Sequence, residues 1–261
     1  MGGDEAVRQA SGLPEPAADG GDTPAARIEA AFLGALAGER AAQAPAAAGD
    51  LLEVADSIVS VGGFDAEDLR RRGLTGSSQA GPAGLLLRAV PFGLLTPLDR
   101  PRVRRDAYRV ASLAGADEGT AVAAIAAALL AADLTRFDLA TAVVRVYQSL
   151  LEDAPFALLD RLRLDAAALA ENDDDPSAAL QLAIAGLVGA VRVEAAIEAA
   201  AGRGRRAAVS LAGALAGALL GSAGFDDAWR SGVPHGHRAA TVAAGLAARA
   251  AEVAEAAGGA Q

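Results

Sequence analysis

The chain has 261 residues and a formal charge of −10, with 52% hydrophobic but only 3% aromatic residues. Such acidity excludes a nucleic-acid partner, because phosphate binding wants a basic face, and the absence of cysteine excludes disulfides and thiolate metal sites. A core of alanine, glycine and leucine calls for thin helices packed closely, so the expected fold is all-α, a single compact multi-helix domain over about residues 25–257.

Residues 1–24 are rich in Gly, Pro, Asp and Ala without a period and are expected to be disordered. They show neither an apolar signal core nor a myristoylation site, Ala6 standing where Ser or Thr is wanted, so a soluble cytoplasmic protein is expected. Thr23 then Pro24 reads as a helix cap and first helical position. The helix that follows puts Ile28, Ala31, Phe32 and Leu36 on one face. A second helix is expected over Asp50 to Val61, then GGFDAEDLRRRG and the block GPAGLLLRAVPFGLLTP. Two arginine clusters, Arg70–Arg72 and Arg100–Arg105, read as solvated helix ends. Asp117 caps a helix running to about Leu134.

Further helices are expected at 137–151, 155–171, 177–200 with a break near Gly189, and 203–222, with a frayed tail at 258–261. ENDDDP, Glu171 to Pro176, lacks the glycine and distant glutamate of a calcium loop and reads as an acidic turn. His235 and His237 would diverge on a helix and have no third histidine beside them, so they are read as surface residues. In the last long helix Gly213, Gly217 and Gly221 recur at every fourth position, leaving a bare face for close approach of another helix. The uncharged run Ala207–Phe225 raises the question of a membrane span, but weak hydrophobicity and its flanks, Arg205, Arg206, Asp226 and Asp227, suit a core helix.

The stretch AAGRGRRAAVSLAGALAGALLGSAGFDDAW, Ala200 to Trp229, resembles the last core helix of the ADP-ribosylglycohydrolase superfamily. There a GGDTDT loop runs into AAIAGALAGALYG, with a tryptophan a few residues on. Arg27, Ile28, Leu33, Gly34, Ala37 and Gly38 resemble the opening RIRGALLGLAVGDALG, with Glu39 at the acidic position. Val54 to Ile58, Gly62 to Leu69, and Gly84, Arg88, Pro91, Gly93 and Leu94 resemble further blocks. The resemblance implies an all-helical domain in which carboxylates and threonines hold two magnesium ions against the ribose of ADP-ribose. In this chain GGDTDT falls on Gly202, Arg203, Gly204, Arg205, Arg206 and Ala207, and TDDT falls on Pro45, Ala46, Ala47 and Ala48. The structural positions are kept and both ligand clusters are absent, with a non-deprotonating guanidinium, Arg206, at one ligand position.

These residues leave three functional readings open. The first is a pseudoenzyme without metal, binding an ADP-ribose-like or other acidic small molecule or a protein partner, with no nucleic acid or membrane involved. The second is a glycosidic hydrolase that removes ADP-ribose through a divergent magnesium site of Glu39, Asp50, Glu53 and Asp117. The third is a repurposed enzyme holding a phosphorylated substrate on arginines. For ligand binding the candidates are Arg203, Arg205 and Arg206, before a helix N-terminus whose free amides favour anions, together with Arg88. The plainer reading of the first three is a solvated turn. No catalytic residue is identified.

Overall fold

The computed structural model describes residues 22–43, 47–79, 81–151, 175–202 and 206–258. Among them there are twelve α-helices, two short 3-10 turns and no strand. The helices are α1 (Pro24–Ala42), α2 (Ala47–Val61), α3 (Ala66–Arg71), α4 (Leu85–Leu95), α5 (Arg100–Leu113) and α6 (Glu118–Leu134). They continue as α7 (Leu139–Leu150), α8 (Pro176–Leu187), α9 (Val193–Ala201), α10 (Arg206–Leu220), α11 (Asp227–Ser231) and α12 (Gly236–Gly258).

Every residue of α6 from Thr120 to Leu134 is buried. A helix apolar on all sides must be wrapped by others, and α4, α5, α7, α8 and α10 all pack on it. Its start is fixed by Asp117, whose carboxylate accepts the Thr120 amide at 2.7 Å. Its last turn carries Asp133, 2% exposed, held by Arg100 at 2.6 Å and Arg145 at 3.4 Å.

The most extensive helix pair is α1 with α10, and glycine makes it possible. A Cβ on Gly34 would lie 2.0 Å from the Gly213 carbonyl oxygen, and one on Gly217 would lie 2.1 Å from that of Ala30. The two backbones therefore touch directly, as the four-residue glycine spacing predicts. The third glycine of that series does different work. α10 ends at Leu220, and Gly221 has φ +67°, a left-handed conformation that terminates the helix. Arg27 closes the same end by donating to the carbonyls of Ala218 and Leu219 at 3.1 and 2.8 Å.

Several expectations shift. Asp22, expected to be disordered, accepts from the Ser222 amide and, at 2.6 Å, from the Ser222 hydroxyl, tying the chain ahead of α1 to the end of α10. α2 starts at Ala47 rather than Asp50. The break near Gly189 is a complete end, since that residue has φ +73° and α9 begins only at Val193. α12 continues to Gly258. The arginine clusters are solvated only in part: Arg70, Arg71 and Arg105 are exposed, whereas their neighbours are engaged in the fold. Arg72 binds Asp68 at 2.7 Å, Asp56 at 2.6 Å and Glu53 at 3.3 Å, joining α2 to α3. Arg104 donates to the Ser149 carbonyl at 2.7 Å, closing the last turn of α7. Arg102 and Arg105 face the buried Asp106. The predicted helix 155–171, residues 1–21 and residues 259–261 lie outside the described residues.

Two of these carboxylates link stability to pH. Side-chain and backbone hydrogen bonds from Thr120 hold Asp117 below the ordinary aspartate value of 3.8. For Asp22 burial pushes upward, but the Ser222 hydroxyl, the Ser222 and Ala223 amides and the charge of Arg27 bring it below 3.8. A carboxylate with a lowered folded-state pKa gives stability that is complete above 3.8 and lost as pH falls through its folded value. Asp117→Asn retains a capping side chain that does not titrate. Melting temperatures measured from neutral pH into the acid range are expected to fall less steeply below about pH 4 in this variant than in the parent.

Candidate functional site

The crossing of α1 and α10 sets which ends meet. Gly34 faces Gly213 and Gly38 faces Val209, so the two helices run antiparallel and the end of α1 lies beside the start of α10. The start of α2 joins them, because Glu39 accepts the Ala48 amide at 2.6 Å. A carboxylate at a helix N-terminus satisfies a free amide and complements the helix dipole. One C-terminus and two N-termini thus converge around Glu39. Its oxygen serves as a clasp between α1 and α2.

The other acidic candidates go elsewhere. Asp50 receives the Nε and an Nη of Arg88 at 2.9 and 2.7 Å. Glu53 pairs with Arg72 at 3.3 Å and Arg238 at 2.5 Å. Asp117 caps α6. The alternative ligand set Glu39, Asp50, Glu53 and Asp117 is therefore divided among four separate tasks. Among the described residues no three His, Cys, Asp or Glu side chains are grouped to hold a metal. The surface histidines His235 and His237 belong to no such group either.

Arg88 has all three guanidinium nitrogens engaged within the fold. It is 3% exposed, and besides Asp50 it donates to the carbonyls of Leu74 and Gly76 at 3.1 and 2.7 Å. A buried guanidinium needs its donors satisfied, and this one is held by α2 and the loop after α3. Of the arginine loop, Arg203 and Arg205 lie outside the described residues, and Arg206 begins α10. Arg40 belongs to no sequence motif or charge cluster. Beside α1 a cavity of about 410 Å³ is lined by Ala37, Arg40, Ala41, Ala228, Trp229 and Val233. Trp229 is the chain's one tryptophan, which is the signal that could have pointed there.

The ADP-ribosylglycohydrolase family model matches residues 20–259. The chain belongs to the ADP-ribosylglycohydrolase family. Its helical fold is also that of a solved structure described as an ADP-ribosylglycohydrolase-related protein complex. That structure is 19% identical, with a TM-score of 0.73 over 87% of this chain and 99% of the other. No match was found among the curated proteins.

The ADP-ribosylglycohydrolase resemblance implies two magnesium ions where these helix ends converge, and the donors among the described residues do not fit them. Magnesium demands several oxygen ligands in near-octahedral array. The positions matching TDDT that fall in α2 are Ala47 and Ala48, and the Ala48 amide is already bound to the Glu39 carboxylate. At the start of α10 the matching position is Arg206, which is not a carboxylate.

Proposed function

We propose that this chain is a non-hydrolytic member of the ADP-ribosylglycohydrolase family that acts by binding. The favoured ligand is an ADP-ribose-like or other acidic small molecule. One observation carries this reading. At the meeting of α1, α2 and α10 a helix N-terminus and a glutamate satisfy each other, where a two-metal hydrolase needs several free oxygens turned toward the ions. The fold's energetics support the same view, since the close α1/α10 contact and the Arg88–Asp50 pair preserve the scaffold without contributing an ion ligand.

Calorimetric titration of the full chain with ADP-ribose, with and without magnesium, tests the proposal. Binding should be unchanged by the ion, and an ADP-ribosylated substrate should be left intact in the same buffer. Affinity that rises about tenfold or more with magnesium, an effect of about 1.4 kcal/mol, would refute it.

A further inference from the structure

The cavity beside α1 is lined by an arginine that has no carboxylate partner among the described residues. Arginines of the described chain mostly meet carboxylates: Arg71, Arg72, Arg88, Arg100, Arg102, Arg105, Arg109, Arg145, Arg192, Arg230, Arg238 and Arg249 all do so. Arg40 meets none among the described residues and yet lines a cavity. Its one hydrogen bond goes to the Gly232 carbonyl, which pins the turn between α11 and α12 against α1. A guanidinium carries five N–H donors in a planar fork, so most of its donors remain available to an anion. Trp229, Ala228 and Val233 line the same cavity, together with the small side chains Ala37 and Ala41. At about 410 Å³ the space falls within the range of small-molecule sites. Successive helical residues point about 100° apart, so Arg40 opens to a different side of α1 from Glu39. The cavity is distinct from the converged helix ends.

We infer that this Arg40–Trp229 cavity binds a planar aromatic anion, its ring against the tryptophan and its charged group on the arginine. Nucleotides and simple aromatic carboxylates share that chemistry. Aromatic rings gain from stacking on indole, and a charged acceptor on guanidinium makes the stronger class of hydrogen bond. The inference extends the non-hydrolytic binding reading by naming a ligand class and a place.

Trp229 is its own reporter. The full chain is titrated with AMP, benzoate, adenosine and inorganic phosphate while tryptophan fluorescence is followed. AMP or benzoate should give a saturable change, with adenosine and phosphate at least about tenfold weaker, because each lacks one of the two contacts. Saturation by AMP alone assigns a nucleotide, and saturation by benzoate as well assigns aromatic anions in general. Arg40→Gln should weaken binding about tenfold and Arg40→Lys should retain most of it. Gln and Lys each keep a donor for the Gly232 carbonyl at an exposed position, so both variants should fold, and melting temperatures close to the parent's verify this. A tryptophan signal indifferent to both anions, or one that Arg40→Gln leaves unaltered, would overturn the inference. Silence of Trp229 leaves the non-hydrolytic reading intact, whereas magnesium-dependent release of ADP-ribose would remove that reading without touching this titration.

Discussion

Gly34→Ala is expected to destabilise the protein by about 3 kcal/mol or more, a drop in melting temperature of roughly 6–12 °C for a domain of this size. The added Cβ would stand 2.0 Å from the Gly213 carbonyl oxygen and 2.6 Å from its carbon. Both are backbone atoms, so no flexible side chain can swing aside and the helices themselves must separate. Because α1 and α10 form the most extensive contact, separation also loosens the layers built on them. Gly49→Ala is the control. It lies within α2 with nothing within 4 Å of its Cβ position, and there alanine's better helix propensity should leave stability unchanged or raise it by up to about 1 kcal/mol. Thermal denaturation of the two variants side by side tests the argument. A Gly34→Ala protein as stable as its parent would show that the two helices are not in backbone contact.

Asp50→Ala should cost about 3–5 kcal/mol, because it strands a buried charge. Arg88 would retain the carbonyls of Leu74 and Gly76 but lose its counterion in surroundings where it is 3% exposed. Arg88→Met should cost less than Asp50→Ala, since it removes the charge and fills the space with an apolar side chain, leaving a half-buried carboxylate that water can reach. Denaturant unfolding of both variants checks the order. If Arg88 were held in place for a ligand instead, either substitution would abolish binding while leaving stability nearly untouched.

The features legible in the sequence were those that act over short distances along the chain. Thr23 and Asp117 are caps because an oxygen and an amide three residues apart meet wherever a helix begins. The glycine spacing of α10 announced a bare face, but not that Gly221 would leave the helix and turn against Asp22. Arg72 and Arg104 depart from the solvated reading of their clusters for a physical reason. A guanidinium on a long stem finds its partner through the fold, and Arg104 reaches a carbonyl 45 residues away. The candidate metal set failed likewise, since Asp50 and Glu53 share a helix yet serve Arg88 and the Arg72–Arg238 pair. No sequence separation reveals the Arg40–Trp229 cavity, whose lining joins the end of α1 to α11 and the turn after it.

Helix ends that hold no ions are the centre of the proposed non-hydrolytic function. Equilibrium dialysis of the full chain against magnesium, and against manganese as a second octahedral probe, followed by elemental analysis, measures this directly. Negligible metal per chain after exchange into ion-free buffer is the predicted result. Two tightly retained ions per chain, lost on substitution of Glu39, would contradict it.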